Sequence, residues 1–300
     1  MKIVVLAGGL SPERNVSLST GTMVTEALRA LGHRAGLIDL YFGLETGGAD
    51  EAFFDAPVSE AYKKISREAP DLDQVRRGRK GDSPSMFGPG VLELCRMADM
   101  VFLALHGTCG EDGRVQAAFD LMGIPYTGAG YLGSAIAMDK DLTKRMVADV
   151  VSTPGWKTVT YTAADIDRLV ETARLPLVVK PVASGSSIGV SIAYTAEELR
   201  RSLTEGLALG GRTVLEEYIR GREIQVGILE DKALPSIEII PKQGFYDYAN
   251  KYQPGAALEV CPAEITPEEE ARVRAAALRV YETLGLSVYS RADFILTEDG

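Results

Sequence analysis

Residues 175–192 read LPLVVKPVASGSSIGVSI and combine a lysine with two runs that are typical of β-strands. Lys180 ends an apolar run rich in β-branched residues, a Gly/Ser-rich turn follows, and a second β-rich run comes after it. In a Walker A loop the lysine follows the glycines and a helix begins there, so this stretch would hold an anion in a different way. We predict a hairpin whose backbone N–H groups and hydroxyls, from Ser184, Ser186 and Ser187, close over a triphosphate above Lys180. An exposed turn beside an incidental lysine is the alternative.

The composition is that of an ordinary soluble globular protein with two or three domains. The 300 residues are 46% hydrophobic and 25% charged, and the formal net charge is -10, which disfavours general binding to nucleic acid or to an anionic membrane. Three widely spaced cysteines indicate neither a disulfide framework nor a zinc site. The apolar start MKIVVLAGG is too short for a signal peptide, and no apolar run approaches the ~18 residues of a membrane span. We expect a cytoplasmic protein with small-molecule partners.

The first part of the chain alternates buried strands with helical patterns. KIVVLAGG and RAGLIDL predict parallel strands on either side of a helix that stops at Gly32, and ADMVFLALHG, GRVQAAFDLMG and IPYTG continue the alternation. This order is typical of a doubly wound parallel-sheet domain. Between Tyr41 and Pro89 the pattern dissolves, so we expect a surface region there, with a helix near Glu60 to Arg67.

From about residue 129 the pattern changes to helices followed by candidate hairpins. WKTVTY, LPLVVKP, IGVSIAY, RTVLEEYI, REIQVGIL and ALPSIEII predict antiparallel sheets in two further α+β units. The last long helix has complete end signals, with Thr266 as N-cap, Pro267 in the first turn and Gly285 beyond its end. The single tryptophan, Trp156, is expected to pack in a core or a domain interface.

Other segments suggest ligand contacts, each with a plainer alternative. Glu216 and Glu223 flank a turn and suit ribose hydroxyls, although exposed strand edges also carry such charges. MDKDLTKRM (138–146) supplies Lys140, Lys144 and a following arginine, of which one or two would reach phosphate unless they form a solvated helix face. FYDYANKY (245–252) is an aromatic loop that closes over a ligand or packs against a domain. His106 follows a predicted strand, at the end where ligands bind in such folds.

Eight motifs occur here in the order found in one family. They are GGLSPERNVSLSTG, ALHGTCGEDGRVQAAFDLMGIPYTGAG, AMDKDLTK, VVKPVASGSSIGVS, EEYIRGRE, LPSIEI, FYDYANKY and SRADF. The chain resembles the D-alanine–D-alanine ligases of the ATP-grasp superfamily from Met1 to about Asp293, least so between Tyr41 and Pro89. The resemblance implies an ATP-grasp fold, α/β and α+β, with a Rossmann-like domain at 1–128 and two α+β domains, at 129–215 and 216–300, that clasp ATP. It also implies a homodimer.

The resemblance assigns a nucleotide site. Lys140 and Lys180 would contact ATP, Glu216 would lie by the adenine and Glu223 would take the ribose hydroxyls. The ATP-binding set that it implies is Lys140, Lys180, Ser186, Ser187, Glu216, Glu223 and Lys251. Asp293 matches a ligand of Mg²⁺, for which Mn²⁺ is an alternative.

The resemblance also assigns the substrate side. Glu13 matches the residue that holds the ammonium of the first D-alanine, in a hydrogen-bonded group with Ser186 and Tyr252. His106 would line the pocket of the first D-alanine. Lys251 would bridge phosphate and the second substrate, and Arg291 would stabilise the tetrahedral oxyanion. The implied reaction is ATP-dependent formation of D-alanyl-D-alanine for peptidoglycan synthesis.

Three alternatives stand beside this assignment. Ligases that join D-alanine to D-lactate or D-serine tend to replace the Lys-Tyr pair that is present here at Lys251 and Tyr252. Family members continue past Gly300 with a strand bearing a Glu-x-Asn metal pair, so we expect a truncated chain, and a non-catalytic nucleotide-binding protein is the second alternative. A nicotinamide dehydrogenase is disfavoured because LAGGLSPER lacks the GxGxxG spacing.

Overall fold

Two units make up the chain in the computed structural model, Met1–Ala135 and Ile136–Gly300. The structure describes residues 1–44, 48–66, 69–185, 187–242 and 255–299. Within these ranges, no helix is both long enough and apolar enough to cross a lipid bilayer. All three cysteines lie in described segments and are free thiols.

A parallel sheet forms the centre of the first unit. Its strands are β1 (Lys2–Ala7), β2 (Arg34–Asp39) and β3 (Met100–Leu103), in the order β2-β1-β3. A parallel bridge from Val101 to Tyr126 extends it at the predicted IPYTG strand. Alternate residues of β1 belong to two different apolar clusters, as expected for a strand buried on both faces. The predicted doubly wound arrangement is confirmed.

Helices cover both faces of this sheet, with α1 (Arg14–Ala30) on one face and α3 (Val91–Met97) and α4 (Arg114–Met122) on the other. Two further helices are α2 (Leu72–Gly78) and α5 (Tyr131–Met138), the last of which ends in the second unit. Gly32 follows α1 with a φ of +85°, the left-handed conformation that ends helices and that glycine adopts without strain.

The expectation for Tyr41 to Pro89 was wrong in two respects. The predicted helix near Glu60 is only a 3₁₀ turn, Glu60–Lys63, and residues 67–68 lie outside the described ranges. The region is also not confined to the surface, because Phe54, in the 3₁₀ turn Glu51–Asp55, is fully buried in the main apolar cluster. Its ring meets that of Phe53 edge to face, with centroids 5.4 Å apart. A short segment with two adjacent aromatic residues can enter a core without any helical period.

The second unit begins with α6 (Lys140–Val147) and an antiparallel sheet that we call the central sheet. Its strands are β4 (Trp156–Thr160), β5 (Leu177–Pro181), β6 (Ser191–Ala193) and β7 (Arg212–Glu217), in the order β4-β7-β5-β6. The helices α7 (Ile166–Thr172) and α8 (Ala196–Ala208) pack on one face of it around Val179, Leu199 and Leu215. The predicted hairpin of Lys180 is therefore present as β5 and β6.

A second sheet, which we call the C-terminal sheet, completes the second unit. Its strands are β8 (Arg222–Leu229), β9 (Lys232–Ala233), β10 (Ile237–Pro241), β11 (Ala257–Val260) and β12 (Tyr289–Leu296), in the order β11-β10-β8-β12 with β9 beside β8. The helix α9 (Pro267–Thr283) packs on its apolar face around Ile224, Val226 and Ala277. The predicted N-cap is confirmed, since the Thr266 hydroxyl accepts from the Glu269 amide at 3.2 Å.

The burial of Phe54 predicts a large loss of stability when its ring is removed. We expect Phe54→Ala to lower the free energy of opening of the first unit by about 3–5 kcal/mol, because a full aromatic side chain leaves a cavity in the core. Hydrogen exchange of the β1 amides measures this quantity. Leu121→Ala, in the same unit but 90% exposed, is the control and should change it by less than about 0.5 kcal/mol. Equal effects of the two substitutions would contradict the core position of Phe54.

Candidate functional site

The central sheet has one apolar and one polar face. Residues that pair directly across antiparallel strands lie on the same face, and Glu216 pairs with both Trp156 and Val178, while Lys180 pairs with Val214. Lys180, Glu216 and Trp156 therefore share the face opposite α7 and α8. We call this the lysine face. Trp156 lies on this face and is half-buried, outside the apolar cluster of the other face. The expected core position is therefore wrong, and the domain-interface position stays a prediction.

A buried carboxylate on the lysine face joins two lysines. The Lys180 ammonium donates to Oε1 of Glu216, and the Nζ of Lys144 lies 2.9 Å from its Oε2. Glu216 and Lys144 are 8% and 10% exposed at their side chains, whereas Lys180 is 27% exposed. Burial lowers the pKa of Lys144, and the positive charge of Lys180 adds to that shift, against the opposing effect of Glu216. The cluster carries one positive charge more than it carries negative charges.

Asp141 connects α6 to the lysine face of the central sheet. Its carboxylate, which is buried, accepts hydrogen bonds from Trp156 Nε1 at 3.2 Å and Thr158 Oγ1 at 2.7 Å, and it pairs with Arg145 and Arg212. Burial alone would raise the pKa of Asp141, but the hydrogen bonds from Thr158, Trp156 and Arg145 outweigh it and lower the pKa. This contact sets the position of the helix that carries both candidate lysines, Lys140 and Lys144.

Lys140 holds the base of the Gly/Ser turn. Its backbone N–H donates to the Val182 carbonyl at 3.0 Å, and its Nζ donates to the Ser184 carbonyl at 2.7 Å. The turn is closed by the Ser184 hydroxyl, which donates to the Ile188 carbonyl at 3.1 Å. Gly189 has a φ of +72°, and a Cβ there would lie 2.8 Å from the ring of Pro181, so both conformation and space require glycine.

A second group of predicted site residues lies on the polar face of the C-terminal sheet. Asp293 pairs with Gln225, which is two residues from Glu223 on β8, and Arg291 is two residues from Asp293 on β12. All four therefore lie on the face away from α9. The guanidinium of Arg291 donates to both carboxylate oxygens of Asp293, at 2.9 and 3.3 Å. Gln225 Nε2 lies 3.5 Å from Glu223 Oε1.

In the first unit, the Glu13 carboxylate lies beside the loop that follows β3. Glu13 is buried, and its backbone N–H donates to the Ser11 hydroxyl at 3.0 Å. A Cβ on Gly107 would lie 2.5 Å from Oε2 of Glu13 and 2.7 Å from the Ser11 hydroxyl, and the φ of Gly107 is +72°. His106, the residue before it, is 3.3 Å from the Thr20 hydroxyl and 3.9 Å from a Glu111 oxygen. Glu13 and His106 thus flank one short loop.

Next to Glu13 in the chain is a buried ion pair that the sequence analysis did not predict. Arg14, the next residue, pairs with Asp39 at the end of β2 and donates to the Gly9 carbonyl at 2.7 Å. Asp39 also accepts from the N–H groups of Tyr41 and Phe42 at 2.8 and 3.0 Å. No local pattern links Arg14 to a residue 25 positions later, so only the alignment of β1 and β2 could have indicated it.

Several sequence-predicted residues lie outside the described ranges. They are Ser186, Lys251 and Tyr252. Among the described residues, Lys140, Lys180 and Glu216 come together at the central sheet, and Glu223, Arg291 and Asp293 come together at the C-terminal sheet. Ser187 lies in the turn with a φ of +57°.

Comparison with known proteins identifies the family. Residues 2–129 match the D-ala D-ala ligase N-terminus family, and residues 149–300 match the D-ala D-ala ligase C-terminus family. All of the chain aligns with the D-alanine–D-alanine ligase of Pediococcus pentosaceus, at 39% identity and over 86% of that protein. The chain belongs to the D-alanine–D-alanine ligase family. The family resemblance inferred from the eight motifs is therefore confirmed.

Solved structures of this family are similar over nearly the whole chain. The D-alanine–D-alanine ligase of Bacillus anthracis complexed with ATP has a TM-score of 0.68 at 28% identity, covering 99% of this chain and 82% of that one. The VanG D-Ala:D-Ser ligase of Enterococcus faecalis has a TM-score of 0.71 at 28% identity, covering 99% and 87%. The ATP-grasp fold predicted from the sequence is confirmed.

The environment of Asp141 predicts a pH-dependent contribution to the stability of the second unit. Its folded-state pKa lies below the ordinary value of 3.8, so the ionised form stabilises the fold above that value, and this stability is lost as the pH falls through the lowered pKa. We expect Asp141→Asn to lower the free energy of unfolding at pH 7 by about 2–3 kcal/mol. The difference from the parent chain should shrink below pH 3.8.

Urea unfolding followed by Trp156 emission measures this, because Trp156 is the only tryptophan and lies in the second unit. Asp149→Asn, at an exposed aspartate just after the same helix, is the matched control and should change stability by less than about 0.5 kcal/mol. A difference for Asp141→Asn that stays constant between pH 7 and pH 3 would contradict the prediction.

Proposed function

We propose that this chain joins two D-alanine molecules to D-alanyl-D-alanine, with ATP converted to ADP and phosphate, for peptidoglycan synthesis. The observation that carries the proposal is the lysine face, where the buried Glu216 contacts both Lys144 and Lys180, and Lys180 lies in β5 just before the Gly/Ser turn. A surplus of positive charge next to such a turn suits a polyphosphate. Family membership supplies the reaction for which such a phosphate site is needed.

The nucleotide would be bound by both sheets of the second unit. We assign Lys180 and Lys140 to the phosphates, together with the turn residues Ser186 and Ser187. Glu216 would accept from the adenine amino group, and Glu223 would accept from the ribose hydroxyls. In support, Lys180 retains exposed surface and Lys140 already lies at the base of the turn.

Bond formation would follow from two nucleophilic steps. The carboxylate oxygen of the first D-alanine attacks the γ-phosphorus of ATP, so that an acyl phosphate forms and ADP leaves. The amine of the second D-alanine attacks the acyl carbon, and the C–O bond to phosphate breaks after the amine loses a proton. We assign Glu13 to the ammonium of the first D-alanine, His106 to its pocket, and Arg291 to the developing oxyanion, where a fixed guanidinium stabilises the transition state most.

A divalent cation fits the residues around Asp293. Its carboxylate lies on the polar face of the C-terminal sheet and is 45% exposed, and oxygen is the ligand that Mg²⁺ prefers. The described residues contain no group of three or more potential metal ligands. Mg²⁺ is commonly held by one or two carboxylates together with substrate phosphates. When bound, Mg²⁺ or Mn²⁺ would neutralise charge on the transferred phosphoryl group. Asp293 is the residue that we propose to hold it.

Three assigned residues belong to segments outside the described ranges. We propose that Lys251 contacts both the transferred phosphate and the second substrate, and that Ser186 and Tyr252 complete a hydrogen-bonded group with Glu13. The support is their match to the motifs VVKPVASGSSIGVS and FYDYANKY. A closed aromatic loop would exclude water, which otherwise hydrolyses an acyl phosphate.

The organisation of the protein is also proposed on family grounds. We propose domains at 1–128, 129–215 and 216–300, a homodimer, and a cytoplasmic location. Three free cysteines are consistent with a reducing compartment. The absence of nucleic-acid and membrane partners is supported by the formal net charge of -10.

The reaction is tested by measuring ADP and the ligation product with each of three second substrates. With ATP, Mg²⁺ and D-alanine, we expect ADP and D-alanyl-D-alanine in equal amounts, and at neutral pH at least tenfold less product with D-serine or D-lactate as acceptor. The solved D-Ala:D-Ser ligase among the structural relatives makes D-serine the sharper comparison. Mass spectrometry of the products separates the three outcomes.

Each alternative has its own result. D-alanyl-D-serine or D-alanyl-D-lactate as the main product would replace the proposed substrate but keep the ligase. ATP binding with no D-alanine-dependent ADP release would favour the non-catalytic nucleotide-binding alternative and would contradict the proposed function.

A further inference from the structure

Lys144 is a buried lysine to which the proposed reaction assigns no role. Its Nζ has three partners, Glu216 Oε2 at 2.9 Å, Thr153 Oγ1 at 2.6 Å and the Pro154 carbonyl at 3.1 Å. It also lies 5.0 Å from the centroid of the Trp156 ring. An ammonium group has three N–H donors, so all of them are used within the protein.

This geometry makes Lys144 unsuitable as a direct ligand of the nucleotide. Its side chain is 10% exposed, compared with 27% for Lys180. A phosphate oxygen would have to displace one of three short contacts to reach it. Both lysines contact the same carboxylate, but Lys180 has more exposed surface with which to contact a nucleotide.

The position of Glu216 explains what a buried ammonium could do there. Glu216 has two oxygens, and each one faces a different lysine. Without Lys144, both oxygens would be available to Lys180, and the two residues would form a closed pair with no net charge. With Lys144 present, one oxygen is held away and the cluster of three keeps one positive charge. A closed, neutral pair would attract a triphosphate less strongly, because the carboxylate repels the same anion.

We propose that Lys144 is a positioning residue for ATP: by holding one oxygen of Glu216, it leaves the charge of Lys180 available to the triphosphate. This inference rests on the proposed function, because it concerns the same nucleotide site. Burial and the neighbouring Lys180 lower the pKa of Lys144, whereas Glu216 acts in the opposite direction, so Glu216 is the partner that stabilises the charge of this ammonium. The charged groups that act on it are Glu216 and Lys180, both on strands of the central sheet.

Calorimetric titration of the full chain with ATP tests the proposal. We expect Lys144→Met to weaken ATP binding at least tenfold and Lys144→Arg, which keeps the charge and a donor to Glu216, to stay within threefold of the parent. Lys157→Met, at an exposed lysine of β4 whose side chain lies on the opposite face, is the matched control and should leave the affinity unchanged. Trp156 emission provides an independent titration signal, since no other tryptophan is present.

A double variant separates an action through Glu216 from a general structural effect. In a Glu216→Gln background, Lys144→Met should change ATP affinity by less than threefold, because the carboxylate that Lys144 holds is gone. The double variant should also be more stable than Glu216→Gln alone, in which the buried ammonium of Lys144 loses its counter-ion. These two chains carry the test if Lys144→Met by itself does not fold.

The contradicting results are distinct from a failure of the proposed function. Parent-like ATP affinity in Lys144→Met, or an equal loss in both backgrounds, would overturn the role of Lys144. In Lys144→Met the KM for ATP should rise while the KM for D-alanine stays within threefold, and an equal rise of both would also overturn it. ATP binding by the parent chain without D-alanine-dependent ADP release would instead contradict the proposed function and leave the measured role of Lys144 in ATP binding standing.

Discussion

A single buried carboxylate, Glu216, lies between two ammonium groups, and the lysine face depends on this contact. A buried charge is unfavourable unless it is paired and hydrogen-bonded, and Glu216 has a lysine at each oxygen. The contact joins β5, β7 and α6, which carry Lys180, Glu216 and Lys144. It therefore aligns the helix of Lys140 with the Gly/Ser turn. The same contact leaves a surplus positive charge where we propose that the triphosphate binds, so one arrangement serves both folding and binding.

Both sheets of the second unit divide their structural and chemical roles between two faces. The period of two along a strand places apolar residues such as Val179 and Ile224 under helices. The intervening residues, among them Lys180 on the central sheet and Asp293 on the C-terminal sheet, are free of that packing role. In the first unit β1 is buried on both faces, so polar residues occur instead in the loops at its carboxyl end, such as Glu13. The position of each candidate residue thus follows from how each sheet is buried.

The sequence predicted those parts of the fold and site that rest on local signals. The hairpin of Lys180, the parallel strands of the first unit and the N-cap at Thr266 each have a short-range pattern, and each is present. The burial of Phe54 was not predicted, because a short aromatic segment has no period that distinguishes core from surface. The role of Lys144 was left open for a different reason: its partner Glu216 is 72 positions away, and only the register of β4, β5 and β7 brings α6 to it. The pair of Arg14 and Asp39 was missed on the same ground.

The most direct test of the account is the affinity of Lys180→Ala for ATP. In this variant Glu216 still pairs with Lys144, so the buried carboxylate keeps a counter-ion and the fold should persist. Isothermal titration of the parent and the variant with ATP measures the contribution of the Lys180 ammonium. Loss of a charge-assisted hydrogen bond predicts a dissociation constant about 10–100 times higher. An unchanged dissociation constant in a folded variant would contradict the claim that the lysine face binds the triphosphate.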